Sequence, residues 1–175
     1  MSFVLLLGGA RSGKSALAVR LAADSAAPVV FVATAEPLDD EMRNRIAAHR
    51  DQRPTEWQTV EAPTELSAAL GTIDERATVI IDCLSMWVAN LLEPGDAIEQ
   101  AADVAAGTAA ARSGRTIVVS NEVGLGLVPA NALGRRYRDL LGRTNAIWAE
   151  KAERAFLVVA GRALPLSATS GLLHD

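Results

Sequence analysis

The sequence predicts an α/β fold, a mostly parallel β-sheet with helices on both faces, and three observations carry that prediction. Apolar runs at Phe3–Leu7, Val29–Ala33, Thr78–Asp82 and Thr116–Asn121, with a fifth at Ala155–Val159, lack the polar alternation of half-exposed strands. Segments of helical spacing separate them: Lys14–Ala23, Asp40–Arg50, Glu65–Leu70, a stretch near Ala97–Arg112 and another near Asn131–Glu153. The first apolar run passes straight into glycines and then into a helical segment, the strand–turn–helix order of an anion cradle.

Composition agrees. Half of the 175 residues are hydrophobic, yet only three Trp, three Phe and one Tyr are present, which suits helices packed on a sheet better than an aromatic-rich barrel. The whole chain, residues 1–175, reads as one domain, because no linker, repeat or shift in composition divides it. A formal charge of −4 gives no general attraction for nucleic acid, so an anionic ligand needs a local site. Cys83 is the single cysteine and excludes an intrachain disulfide scaffold. The run Phe3–Leu7 is too short for a membrane span or a signal-peptide core, and the expected location is the cytoplasm.

The cradle itself is Gly8, Gly9, Ala10, Arg11, Ser12, Gly13, Lys14 and Ser15, which fits G-x-x-x-x-G-K-[ST] after a strand and before a helix. Glycines let backbone N–H groups approach phosphate oxygens, and the helix N-terminus adds partial positive charge. Lys14 is expected to reach the β- and γ-phosphates and the Ser15 hydroxyl to ligate Mg²⁺. The fold class is therefore P-loop NTPase-like. Asp82 closes the third apolar run, where a carboxylate can hold Mg²⁺ directly or through water; a helix cap is the plainer alternative. Cys83 beside it reads as a small buried residue.

Of two histidines, His174 is penultimate and His49 lies among Arg43, Arg45, Arg50 and Arg53 in DDEMRNRIAAHRDQRP. A neutral imidazole can attack phosphorus and divide one transfer into two easier ones, with guanidiniums orienting the phosphates. A solvated helix face explains the same residues equally simply. Glu61 alone reads as a solvated loop acid, and Thr34 could cap the helix beginning near Asp39 and Asp40.

GGARSGKS, VATAEPLDDEMRNRIAAHRDQRPTEWQTVE and SNEVGLGLVPANALGRRYRDLLGRTNAIWAEKAE together resemble the bifunctional adenosylcobinamide kinase/adenosylcobinamide-phosphate guanylyltransferase family of cobalamin assembly, from Val4 to about Pro165. The resemblance implies that the corrinoid adenosylcobinamide is phosphorylated on a hydroxyl with ATP or GTP. GMP from GTP is then transferred to that phosphate through a histidine–GMP intermediate, with pyrophosphate leaving. The family histidine stands in R-I-x-x-H-x-x-x-R-P, here Arg45, Ile46, His49, Arg53 and Pro54, which implies His49 as the guanylylated nucleophile. Further nucleotide contacts are implied at Ala33, Thr34 and Ala35, at Arg50, Asp51, Gln52 and Arg53, at Glu61, and at Asp82, where relatives carry an acidic residue. Ala146 departs from a common G-R-x-N-Q pattern and removes an amide. Members are described as trimeric, so a homo-oligomer is expected.

Several features stay open at this level. The two reactions break different bonds of a triphosphate, so the nucleotide or the His49 helix must shift between them. Arg53–Pro63 reads as loop or short strand, and Glu122–Ala130 as a loop able to reach the crevice. Arg135, Arg136, Arg138 and Arg143 could meet phosphate, corrinoid or another subunit, or form a solvated face with Asp139. Trp57, Trp87 and Trp148 could flank a corrin ring or belong to core or subunit contacts. A monofunctional kinase with an idle His49 and a nucleotide-driven switch or motor are the rival readings.

Overall fold

A computed structural model of the chain describes residues 2–51, 53–92 and 97–169; Gln52 and His174 lie outside the described residues. Strands β1 (Ser2–Gly8), β2 (Val29–Ala33), β3 (Gln58–Glu61), β4 (Thr78–Asp82), β5 (Arg115–Asn121), β6 (Arg154–Val159) and β7 (Arg162–Leu166) form one sheet. Its order is β3-β2-β4-β5-β1-β6-β7. All neighbours are parallel except β6 and β7, which form an antiparallel hairpin.

The helices are α1 (Lys14–Ala23), α2 (Asp40–Asp51), α3 (Leu66–Thr72), α4 (Leu84–Asn90), α5 (Ile98–Ala111) and α6 (Ala132–Lys151). Because side chains alternate across a strand, β1 divides its apolar residues between two cores. Val4 and Leu6 join Ala18 and Ala22 of α1, while Phe3, Leu5 and Leu7 join Leu66, Trp87, Ala105, Leu141 and Trp148 of α3–α6. Strands buried on both faces explain the unbroken apolar runs.

Two elements differ from expectation. The sequence pattern sets no helix at Leu84–Asn90, yet α4 follows β4 almost without a break and buries Leu84, Ser85, Trp87 and Val88. A short helix buried on several sides carries no amphipathic stripe. Strand β7 is exposed along its length and contains Pro165, which an edge strand tolerates. The tryptophans resolve toward core: Trp87 and Trp148 are 1% and 0% exposed, and half-buried Trp57 packs on the α1-side core. Among the described residues no helix is long and apolar enough to cross a membrane.

Candidate active site

Parallel pairing brings the carboxyl ends of five strands to one edge. Gly8 of β1 pairs with Asn121 of β5, and Ala33 of β2 pairs with both Glu61 of β3 and Asp82 of β4. Strand β5 lies between the strand that feeds the glycine loop and the strand that ends on Asp82. The loop and the carboxylate therefore face each other across one strand's width, about 5 Å for each pairing step.

Gly13 precedes α1 with φ of 98°, a left-handed conformation costly for a residue bearing a Cβ. Lys14 is buried, and its Nζ donates to the Gly9 carbonyl at 2.7 Å and lies 3.5 Å from the Ser12 hydroxyl. Its ammonium is thus held against the loop that it would serve. Gly9, Ala10 and Arg11 are exposed on the rim, where phosphate oxygens can reach their backbone.

Asp82 is half-buried, but its Oδ2 is fully buried and has no hydrogen-bond partner. Burial raises its pKa; the Ser15 hydroxyl's hydrogen bond and then the charges of His49, Lys14 and Arg53 oppose that shift. An orphaned carboxylate oxygen is costly. A divalent cation would remove the cost, and Ser15 supplies the hydroxyl expected of its other protein ligand. The donor set fits Mg²⁺. The capping alternative for Asp82 does not hold, since α4 is preceded by Cys83 and carries no side-chain cap.

Thr34 is fully buried, and its hydroxyl both donates to the Cys83 carbonyl and accepts from the Cys83 N–H, each at 2.8 Å. Asn90 Nδ2 holds the Thr34 carbonyl at 2.8 Å and the Pro63 carbonyl at 3.0 Å. Thr34 is a clasp between β2 and the end of β4 and does not cap α2. That cap is Asp39, whose Oδ1 accepts from Met42 N at 2.7 Å. The Cys83 thiol is pushed up to about 11, first by burial and then by the Asp82 charge, so it is protonated near neutrality and poorly suited to attack.

On α2, Met42, Ile46 and His49 are half-buried, while Arg43, Arg50 and Asp51 are exposed. Spacings of four and three put the half-buried trio on one face, so His49 shares the inward stripe. His49 is close enough for its charge to act on Asp82. Arg53 lies beyond the helix end, not on it. Its Nε donates to the His49 carbonyl at 3.1 Å and its Cζ stands 3.7 Å above the Phe31 ring of β2. Burial and then the nearby Arg50 charge lower its pKa, and its Nη1 is buried without a partner. Arg50 and Glu61 approach to 3.9 Å, both largely exposed, a pair that contributes little stability. Ala33 and Ala35 are half-buried at the same edge.

Three arginines of α6 have partners within the chain. Arg138 pairs with Asp139 at 2.9 Å and Arg143 pairs with Glu99, while Arg135 donates to the Pro129 and Ala130 carbonyls. Motif reading passed over two polar supports. Asn145, buried, accepts from Ser120 at 2.6 Å and donates to the Asn121 carbonyl at 3.0 Å. Asn90 is the other. Their sequence signal was weak, since Asn90 merely closes an apolar helix and Asn145 stands beside Arg143 and Thr144.

Residues 4–166 match the family described as cobinamide kinase / cobinamide phosphate guanyltransferase. The chain is 45% identical to the bifunctional adenosylcobalamin biosynthesis protein CobP of Pseudomonas aeruginosa, over 93% of this chain and 95% of that protein. It is 39% identical to the corresponding CobU protein of Escherichia coli, over 90% of this chain and 96% of that one. Among solved structures it is similar to a Pyrococcus horikoshii protein, with a TM-score of 0.56 at 9% identity, covering 94% of this chain and 85% of that one. An ATPase of a bacterial type III secretion system gives 0.54 at 10% identity, covering 97% and 60%. These two likenesses show the P-loop NTPase-like fold alone. With the family match spanning nearly the whole sequence, the chain belongs to the cobinamide kinase / cobinamide phosphate guanyltransferase family.

Proposed function

We propose that this chain phosphorylates adenosylcobinamide with ATP or GTP and then transfers GMP from GTP to the product, giving adenosylcobinamide-GDP and pyrophosphate. The observation that carries the reading is the convergence of a phosphate loop, a carboxylate with an orphaned oxygen and one half-buried imidazole at a single sheet edge.

In the kinase step, the loop's N–H groups and Lys14 hold the β- and γ-phosphates while the corrinoid hydroxyl, losing its proton, attacks the γ-phosphorus; the bond to the β,γ-bridging oxygen breaks and the nucleoside diphosphate leaves. Ser15 and Asp82 would hold Mg²⁺, which supplies charge neutralisation to the triphosphate. In the second step the His49 imidazole attacks the α-phosphorus of GTP and the bond to pyrophosphate breaks. The corrinoid phosphate then attacks the same phosphorus, and the imidazole leaves with its electron pair restored. Arg50 and Arg53 flank the nucleotide with fixed positive charge, and Ala33, Ala35, Asp51 and Glu61 complete its surroundings as the family resemblance implies, with buried Thr34 clasping the strands behind them; the resemblance also implies Gln52, which lies outside the described residues. We further propose that the enzyme works in the cytoplasm and as a homo-oligomer, a trimer as the resemblance implies.

Incubation with GTP labelled at the α-phosphate tests this. Protein should retain acid-labile, base-stable label, released on adding adenosylcobinamide phosphate. Label that persists in His49→Ala removes the assignment. A monofunctional kinase would show no label, and a motor module would hydrolyse nucleotide without regard to corrinoid.

A further inference from the structure

The hairpin between β6 and β7 sits on the back of the phosphate loop. Val159 pairs with Arg162, leaving Ala160 and Gly161 as a two-residue turn with φ of 50° and 75°, the type I′ geometry that suits twisted hairpins. Gly161 N–H donates to the Ser12 carbonyl at 2.9 Å. A Cβ on Gly13 would stand 3.3 Å from Gly161 Cα, and one on Gly8 would run into the Val158 carbonyl. The loop and the hairpin are thus in backbone-to-backbone contact at three points.

The hydrogen bond has a direction that matters for phosphate. In a trans peptide the C=O and the next N–H point opposite ways. Holding the Ser12 carbonyl toward the hairpin turns the Gly13 N–H away from it, and keeps a carbonyl's negative end off the cradle. An anion site made of peptide groups depends on this polarity. Gly holds the left-handed φ of Gly161 without strain and Asn holds it at small cost, whereas a β-branched residue resists it.

We propose that Gly161 is a positioning residue: the β6–β7 turn fixes the orientation of the Ser12–Gly13 peptide and thereby the affinity of the loop for the nucleotide's phosphates in both reactions. The inference rests on the reading of Gly8–Ser15 as a phosphate cradle, and adds a contact from a hairpin on the far side of β1 from Asp82.

The test compares Gly161→Val, which cannot hold a positive φ, with Gly161→Asn, which can, in the full-length protein. Binding of a fluorescent GTP analogue, kcat and KM for nucleotide and corrinoid, and thermal melting are measured on each. Gly161→Val should weaken analogue binding by about tenfold and lower kcat/KM for the nucleotide by up to about a hundredfold, as a misplaced group does. The corrinoid KM should hold, and Asn should restore most of the loss. Should Val prevent folding, Gly161→Ala carries the test, since its Cβ meets open space and perturbs φ alone. A folded Val or Ala variant with wild-type analogue affinity overturns the proposal, as does a melting shift with nucleotide KM unmoved. Failure of the proposed function reads differently: wild-type protein would bind the analogue but transfer nothing to corrinoid, and the binding comparison would still decide the turn's role.

Discussion

The two halves of the site are built in opposite ways. On the β1 side, the phosphate loop springs from a strand buried on both faces, and α1 buries Lys14, Ala18 and Ala22 behind it. On the β2 side, α2 buries none of its described side chains, and its stripe of Met42, Ile46 and His49 is only half-buried. Its fixings are polar: the Asp39 cap, and Arg53 spanning the His49 carbonyl and the Phe31 ring. Few buried apolar contacts mean a low free energy of local opening. On the proposed reading, the phosphates meet backbone held by buried neighbours, and the imidazole rides on the less buried element. That division suits two reactions at one triphosphate, since the γ-phosphorus and the α-phosphorus cannot both be in line with one fixed arrangement.

The largest expected effects separate the halves. Lys14→Ala should reduce both phosphoryl transfer and protein guanylylation by about a thousandfold, because both draw on the same phosphate charge. His49→Ala should abolish guanylylation while phosphorylation of adenosylcobinamide continues. Rates of corrinoid phosphorylation with γ-labelled ATP, set beside α-label incorporation from GTP, check the pair. Equal loss of both activities in His49→Ala would collapse the distinction drawn between the two sides.

How much was legible in the sequence follows the same line. Strands buried on both faces announce themselves as apolar runs, and the phosphate loop is a local pattern of eight residues, so β1, α1 and the sheet's parallel core were readable directly. His49 was not distinguishable from a solvated helix face by its neighbours, because α2 has so little burial to pattern it; only the family resemblance implies a role for it. Contacts that join distant positions were opaque. Thr34 clasping Cys83, Asn145 bridging Ser120 and Asn121, and Gly161 reaching Ser12 each link elements that no local pattern connects. The edge strand β7 was missed because it is exposed and proline-bearing, the opposite of the pattern that revealed the others.

A smaller effect should come from the strap that holds α2. Arg53→Ala removes the donor to the His49 carbonyl and the stacking on Phe31, leaving the helix end free. Guanylylation should slow by about tenfold, roughly 1.4 kcal/mol of barrier, and fall further than the kinase rate. Lys should not rescue it, since an ammonium lacks the planar fork that bonds and stacks at once. Hydrogen exchange should show α2 amides opening faster in the variant and α1 amides unchanged. Equal protection of α2 in both proteins would mean that Arg53 is not what restrains the helix.

The smallest expected change concerns stability and lies between the two halves, at Asp82. Its pKa is raised by burial, so the folded chain binds that proton more tightly than the unfolded chain does. The group's contribution is therefore most favourable below the ordinary carboxylate range. It declines as pH rises toward the elevated folded value, and stays at its lower level above that. Once the pH has risen through that elevated value, the metal-free protein bears the cost of a buried anion with an unpartnered oxygen. Asp82→Asn should accordingly remove that decline, and stabilise metal-free protein by about 1 kcal/mol on its high-pH side. It should also erase the stabilisation that Mg²⁺ confers on the wild type. Denaturant melts across pH, with and without Mg²⁺, measure all three. An Asn variant less stable than wild type without metal would mean that Ser15, His49, Lys14 and Arg53 already outweigh the desolvation, and that the carboxylate is a structural anchor of the crevice and not a group kept waiting for a cation.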